Sequence, residues 1–448
     1  MILPAPQMTW PRLMGLYQTD GCFYVSVRKD GSLNIAIILT IGRKNVYLTD
    51  QVKIFLTKEG FLPEIQIFDS SGTLLQSASN PSLPPQEDTL GELLEKKATQ
   101  DRGSNITIRG LENCKQLVNK MNKEIQKSNG LVTFFGPKLV DFLVFSNLLE
   151  IVIEVQKGKR NEQSAKADYV NIIHGFRVRR KNAVTLTSQE LCRRLQLPST
   201  DYAYDPNSVI WTKAATDAQN SYKEAANKCI QIKDQNKPIP DPLAEFIVGV
   251  YDGDGSYQVG THILAKEGQD KDGNKTYTLV KRSDGSTRAA YDIVPMLTLT
   301  DKLEYENTRF NELFNICAIL LNETHLRKTK KNPNVGEKSV LEMESPGYKP
   351  GENSNRFQLR DTKMLQKVVI PLFEKNPPFT DEQRQRFHVL SEIAKEKPFK
   401  TEQAALDALE LLYNNQQVFK DDVRKNKKET MVQLVKMTFA NKKRRGRP

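Results

Sequence analysis

The chain has 448 residues, room for two or three domains, each with its own core. Hydrophobic residues make up 38% and charged residues 27%, and the absence of any run of about 18 apolar residues excludes a membrane-spanning helix. Sixty-six Lys and Arg against 54 Asp and Glu leave a formal charge of +12, which attracts polyanions, while five scattered cysteines and four scattered histidines exclude a clustered zinc site and a disulfide framework.

Met1 to Trp10 carries Pro4 and Pro6 and no basic stretch, so neither a secretory signal nor a transit peptide is expected there. Next comes Leu13-Met14-Gly15-Leu16-Tyr17-Gln18-Thr19-Asp20-Gly21. Leu13, Leu16 and Tyr17 stand at i, i+3 and i+4, the apolar face of a helix that ends at Asp20-Gly21. Phe23, Val25 and Val27 then alternate with Tyr24, Ser26 and Arg28, the period of a strand. Asp30-Gly31 is a hairpin turn. The second strand turns Leu33, Ile35, Ile37, Leu39 and Ile41 inward and Ser32, Asn34 and Thr40 outward. A helix follows over about 47–58, closed at Gly60. The Ser, Pro, Gly and charge-rich segments 70–103 and 332–354 read as loops inserted into hairpins.

The nine-residue pattern returns as Ile247-Val248-Gly249-Val250-Tyr251-Asp252-Gly253-Asp254-Gly255, 234 residues after the first copy. An offset of about half the chain means two related halves rather than a solenoid. The expected division is a first domain over 8–197, a linker over 198–240, a second domain over 241–440 and a basic tail over 441–448. The linker is polar with Ala-rich patches, and Asp241 and Pro242 suit the N-cap and first turn of the second motif helix. After the second copy, 256–263 alternates, 266–288 is a polar excursion, and 291–300 returns as a strand. Pro295 predicts a bulge or an edge there. A helix is expected over about 302–321. The tail holds five positive charges. Its Arg445-Gly446-Arg447 resembles an AT-hook core, and Lys442 to Arg445 also reads as a nuclear import signal or as a plain basic tail.

Two such helices packed face to face, with Gly15 and Gly249 letting their backbones approach, bring Asp20 and Asp254 together at the helix ends. Close carboxylates repel unless a cation lies between them, and hard oxygen ligands select Mg²⁺ or a similar ion. Metal held there activates water and stabilises the leaving oxygen of a phosphodiester. One Asp-Gly alone is no more than a strand-initiating turn. Two copies, each followed by matching strands, point to a paired site.

Both segments resemble the LAGLIDADG signature, and the chain resembles the single-chain, two-motif form of that homing endonuclease family over about 11–197 and 242–436. The resemblance implies an α+β fold of two pseudo-symmetric αββαββα domains whose sheets form a DNA-binding saddle. It implies a metal-dependent double-strand cut in a long, asymmetric DNA target by a monomer, with Mg²⁺ or Mn²⁺ as cofactor. The catalytic and metal-binding acids map to Asp20 and Asp254; the sixth motif position departs, being Gln18 in one copy and Asp252 in the other. A water-organising residue after the second strand maps to Asp301, with Arg43 as its counterpart. A basic residue near the scissile phosphate maps to Lys138. The matching stretch of the other half, 378–384, has no lysine there, which leaves Arg384 as a substitute or one centre impaired.

Outward strand residues are the candidate DNA readers: Tyr24, Ser26, Arg28, Asn34, Gln66, Arg109, Gln258, His262, Arg356, Gln358 and Arg360. Arg, Gln and Asn make bidentate contacts to guanine and adenine edges in the major groove. The competing reading of each is a solvated sheet face. The resemblance also admits an intron maturase of the same fold, binding intron RNA without cutting, and a DNA-binding regulator on a relic nuclease fold. Retention of both acids favours cleavage. Chloroplast or mitochondrial synthesis is the location the resemblance suggests.

Overall fold

In the computed structural model the described residues are 6–42, 46–68, 74–78, 103–179, 187–281, 283, 286–302, 312–321, 349–350, 354–419 and 427–444. They divide into two compact units, one drawn chiefly from 6–254 with 300–355 and the other from 255–299 with 356–448. The fold is α+β, with antiparallel sheets.

The first unit opens with α1, Trp10–Asp20, capped by the Thr9 hydroxyl on the Arg12 N–H and with Pro11 in its first turn. Its residues Leu13, Met14, Leu16 and Tyr17 are all buried. Strands β1 (Gly21–Val27) and β2 (Leu33–Ile41) form the hairpin read from the alternation, closed at Gly31, whose φ is +83°. Helix α2 (Val46–Lys58) ends at Gly60 with φ +90°. Beyond it stand β3 (Glu64–Phe68), β4 (Leu74–Ala78) and β5 (Gly103–Arg109), in the sheet order β1-β2-β5-β3-β4. Strand β4 departs from expectation: Leu74–Ala78 falls in the segment read as loop, yet its backbone pairs with β3 at the edge of the sheet. Pairing across the sheet overrides the local Ser- and Gly-rich composition.

Under the sheet, Phe23 meets Phe134, Phe142 and Phe145 at centroid distances of 5.8, 5.4 and 5.5 Å. These come from the approach to and body of α4 (Pro137–Gln156), which follows α3 (Leu111–Lys127). Helices α5 (Glu162–Arg179) and α6 (Ser188–Arg194) complete this half of the sequence.

The polar stretch expected as a linker contains a 26-residue helix, α7 (Val209–Asp234). Trp211, Tyr222 and Cys229 on it are buried. It packs on α4 and on α9 (Glu312–Leu321), with the Asn315 amide donating to the Tyr222 hydroxyl at 3.1 Å. Its apolar residues are spaced among alanines, so the segment reads as polar while one face is packed. Helix α8, Asp241–Asp254, carries the second motif; Asp241 is its first residue rather than its cap, and the Pro240 carbonyl accepts from Ala244.

The second unit holds β6 (Gly255–Ile263) and β9 (Tyr291–Lys302), with β10 (Ser354–Leu359) on the far side of β9. The polar excursion between them is a hairpin, β7 (Lys266–Gln269) with β8 (Lys275–Thr278). Pro295 sits in an inner strand opposite Val259, and the register runs through it without a shift, so neither bulge nor edge is present. The strand also continues through Asp301 to Lys302, where a helix was expected to begin. The helices are α10 (362–375, with a π turn at Leu365–Val369), α11 (Asp381–Glu396), α12 (Glu402–Asn414) and α13 (Lys428–Arg444). Tyr257, 234 residues after Phe23, meets Phe373 and Phe387 at 5.5 and 5.7 Å, repeating the aromatic core. The expected tail begins as the last turn of α13; Arg445 to Pro448, with the AT-hook-like triplet, lie outside the described residues.

Candidate active site and sheet faces

The two motif helices, α1 and α8, lie against each other. A Cβ placed on Gly15 would stand 2.3 Å from the Phe246 carbonyl oxygen, and one on Gly249 would stand 2.1 Å from the Arg12 carbonyl oxygen. Each glycine meets the residue three before the other glycine, so the contact is symmetric under the 234-residue offset. No side chain fits at either position without moving backbone. That closeness carries the helix ends together. A Cβ on Gly253 would meet the Thr19 hydroxyl oxygen at 2.1 Å and the Asp20 carboxylate at 2.8 Å. The carboxylate of Asp20 therefore occupies the space that Gly253 leaves empty, one residue from Asp254. Both acids are half-buried at the point where their helices give way to strands.

The sixth motif positions take different work. Asp252 is fully buried and receives both Nε and Nη2 of Arg12 at 2.8 and 2.7 Å. Arg12 precedes the first motif, and nothing in its local sequence distinguishes it from a surface arginine. Gln18, the equivalent of Asp252, turns to the approach to α4. Its Oε1 accepts from the Phe135 N–H at 2.8 Å and its Nε2 donates to the Phe135 carbonyl at 3.3 Å. Three residues on, the ammonium of Lys138 donates to the Gly21 carbonyl, the peptide that follows Asp20, and is buried there. The Gly136 N–H donates to Glu312 Oε2 at 2.8 Å, and burial holds the Glu312 carboxyl above its ordinary range.

Lys138 thus lies at the Asp20 end of the motif pair. Arg384 spends its donors on its own loop, on the Pro378 and Phe379 carbonyls and the Asp381 carboxylate, and is buried. It ties the loop before α11 to the first turn of that helix, whose cap is the Thr380 hydroxyl. Asp301 lies in the backbone of β9, but its side chain falls outside the described residues, as does Arg43 altogether.

Register places most of the candidate readers. Ser26 stands opposite Asn34, Tyr24 opposite Ala36 and Ala36 opposite Arg109, while Gln66 stands opposite Asn105 and Asn105 opposite Thr40. Residues directly opposite share a face, so Tyr24, Ser26, Asn34, Gln66 and Arg109 line one surface of the first sheet. Thr40, read as outward in the sequence, and Asn105 of β5, hydrogen-bonded at 2.9 Å, belong to the same surface; Asn105 is not evident in the sequence, where β5 has no clear bounds. Arg109 is engaged by Glu64 at 2.5 Å. Arg28 lies exposed just past the end of β1. In the second unit Gln258 stands opposite Met296 and His262 opposite Asp292. Exposed Arg360 points its Nε at the Met296 sulfur, 3.1 Å away. Arg356 and Gln358 belong to β10, with side chains outside the described set.

No family profile matches the chain, and no curated protein does. Solved structures do. I-SmaMI, bound to an uncleaved DNA target in the presence of calcium ions, is 15% identical, with 90% of this chain and 98% of that one covered and a TM-score of 0.48. I-AabMI, a LAGLIDADG meganuclease bound to uncleaved DNA, is 12% identical over 93% of this chain and 100% of that one, with a TM-score of 0.48. I-GzeII, a LAGLIDADG homing endonuclease in complex with its DNA target, is 11% identical over 91% of this chain and 98% of that one, with a TM-score of 0.45. Over most of its length the chain is similar to solved LAGLIDADG endonucleases.

Proposed function

We propose that this chain is a site-specific DNA endonuclease that makes a double-strand cut as a monomer, using Mg²⁺ or Mn²⁺. The observation that carries the reading is the interlocked glycine pair, Gly15 against Phe246 and Gly249 against Arg12, with the Asp20 carboxylate set against Gly253, the residue before Asp254. Two acids at adjoining helix ends repel unless a cation shares them. Among the described residues no group of three or more His, Cys, Asp or Glu stands together. The protein's share of a coordination shell is then these two carboxylates, a hard-oxygen set that suits Mg²⁺, which keeps waters and takes phosphate oxygens as its other ligands. Such ions supply a water nucleophile and stabilise the leaving oxygen. Lys138 adds a fixed positive charge at the Gly21 peptide, where a phosphate would be drawn.

The polar sheet face supports long-target recognition, and the charge of +12 supports binding to a polyanion. Both motif helices lie in one chain, which supports action as a monomer. Synthesis in a chloroplast or mitochondrion belongs to the same proposal. The test is to recover bound duplexes from a randomised DNA library and incubate them with the protein in Mg²⁺ or in chelator. A defined double-strand cut in Mg²⁺ alone is expected. Tight binding to folded RNA with no cut in any selected duplex would overturn the reading in favour of a maturase.

A further inference from the structure

The approach to α4 is fastened to the first motif at two ends. Gln18 grips both polar groups of Phe135, and Lys138 reaches the Gly21 carbonyl. Between them Gly136, at φ +61°, holds a backbone conformation that side chains resist, and its N–H is taken by Glu312. The Phe135 ring packs edge-on against Phe246 of α8 at 6.0 Å. Phe135 to Lys138 is therefore a short rigid span whose near end is set by Gln18 and whose far end delivers an ammonium to the residue after Asp20.

A carboxamide is needed for this grip. It offers one donor and one acceptor, and Phe135 presents one of each. The second motif carries Asp252 at the equivalent position, which only accepts and which binds Arg12. The stretch 378–384 supplies no lysine, and its Arg384 is turned onto its own loop. We propose that Gln18 is a positioning residue that seats Lys138 at one of two unequal cleavage centres, so that the two DNA strands are cut by differently built machinery. This inference rests on the endonuclease reading.

Two measurements test it. In the first, a selected target labelled on each strand in turn is cut by wild type, Gln18→Ala, Lys138→Met and the double variant. Gln18→Ala should slow one strand on the order of 10- to 100-fold, the cost of a misplaced group, and nicked DNA should accumulate. Lys138→Met should slow the same strand, and the double variant should be no slower than Lys138→Met alone, because residues acting as one unit are not additive. Equal slowing of both strands, or additive effects, would overturn the proposal.

The second measurement needs no cleavage. Lys138 is labelled with acetic anhydride and quantified by peptide mass spectrometry against Lys213, whose side chain is 70% exposed. Lys138 should react several-fold faster in Gln18→Ala than in wild type. Gln18→Glu, which keeps the acceptor and loses the donor, should fall between and serves if the alanine variant does not fold. Unchanged labelling in both variants would sink the clamp. If wild type cuts no selected DNA, the endonuclease reading fails, and the labelling result still decides whether Gln18 seats Lys138.

Discussion

Arg12 and Asp252 form an ion pair at 2.7 Å, with side chains only 2% and 0% exposed, between the two motif helices. Removing one partner strands a buried charge, at a cost of about 3–5 kcal/mol, whereas an apolar pair of similar volume is often neutral. Arg12→Leu and Asp252→Leu should each lower stability by that order in chemical denaturation. The double variant Arg12→Met with Asp252→Leu should recover most of it. Three equally destabilised variants would mean that this ion pair does not hold the helices.

The glycines at the crossing leave no room for a methyl group. Gly15→Ala and Gly249→Ala should each cost about 1–3 kcal/mol or more, because the Cβ meets backbone that cannot rotate away. Gly253→Ala presses instead on the Thr19 and Asp20 side chains, which can turn. It should lose most of its cleavage rate with a smaller loss of melting temperature. Melting curves and rates on one target separate the two behaviours.

Asp20→Asn and Asp254→Asn should each abolish double-strand cleavage while target affinity stays near wild type. Asn keeps the shape and removes the charge that a hard cation requires. Gel-shift and cleavage assays in parallel check this, and wild-type cutting by either variant would overturn the proposed metal-holding role of that residue.

On the sheet face, Glu64 neutralises Arg109. Glu64→Gln should free that guanidinium and tighten DNA binding. The slope of log K against log salt should steepen by about 0.9, the value for one added phosphate contact. Arg109→Ala should weaken binding and make the Glu64 substitution indifferent. Filter binding at several salt concentrations reads both.

Glu312 adds a pH dependence. Burial raises its carboxyl above the ordinary 4.5, so the folded state favours the protonated acid. That stabilisation is complete below 4.5 and is lost as pH climbs through the raised folded value. Glu312→Gln, which keeps an acceptor for the Gly136 N–H, should melt higher than wild type at neutral pH and lose that advantage in acid. A parallel shift at every pH would show that the charge is not responsible.

The motif helices and the first hairpin were legible because they are local: a 3.6 period, a 2.0 period, an Asp-Gly break, and one pattern repeated. Lys138 stands out only through resemblance, since nothing in Gly136-Pro137-Lys138 announces a contact with Gly21. What stayed hidden depends on partners far along the chain. Arg12 meets its acid 240 residues away, and Gln18 meets Phe135 at a separation of 117. A side chain's partner is set by packing, and packing leaves no periodic trace. Leu74–Ala78 was hidden likewise, since its pairing with β3, rather than its composition, makes it a strand.

The packing of α7 bears on where this chain can be recombined with another. Its tyrosine and lysine reach α9, through Tyr222 to Asn315 and Lys233 to the Leu320 carbonyl at 3.3 Å, and Lys228 reaches the Asn129 carbonyl at 2.7 Å. A chimaera spliced in 198–240 would part α7 from α4 or from α9, the two helices on which it packs. A breakpoint between the motifs, the obvious one from sequence, is therefore the wrong seam. Viable exchanges would carry α7 and the whole of Glu312–Leu321 together, so that inheritance follows the packed layer and not the midpoint of the reading frame.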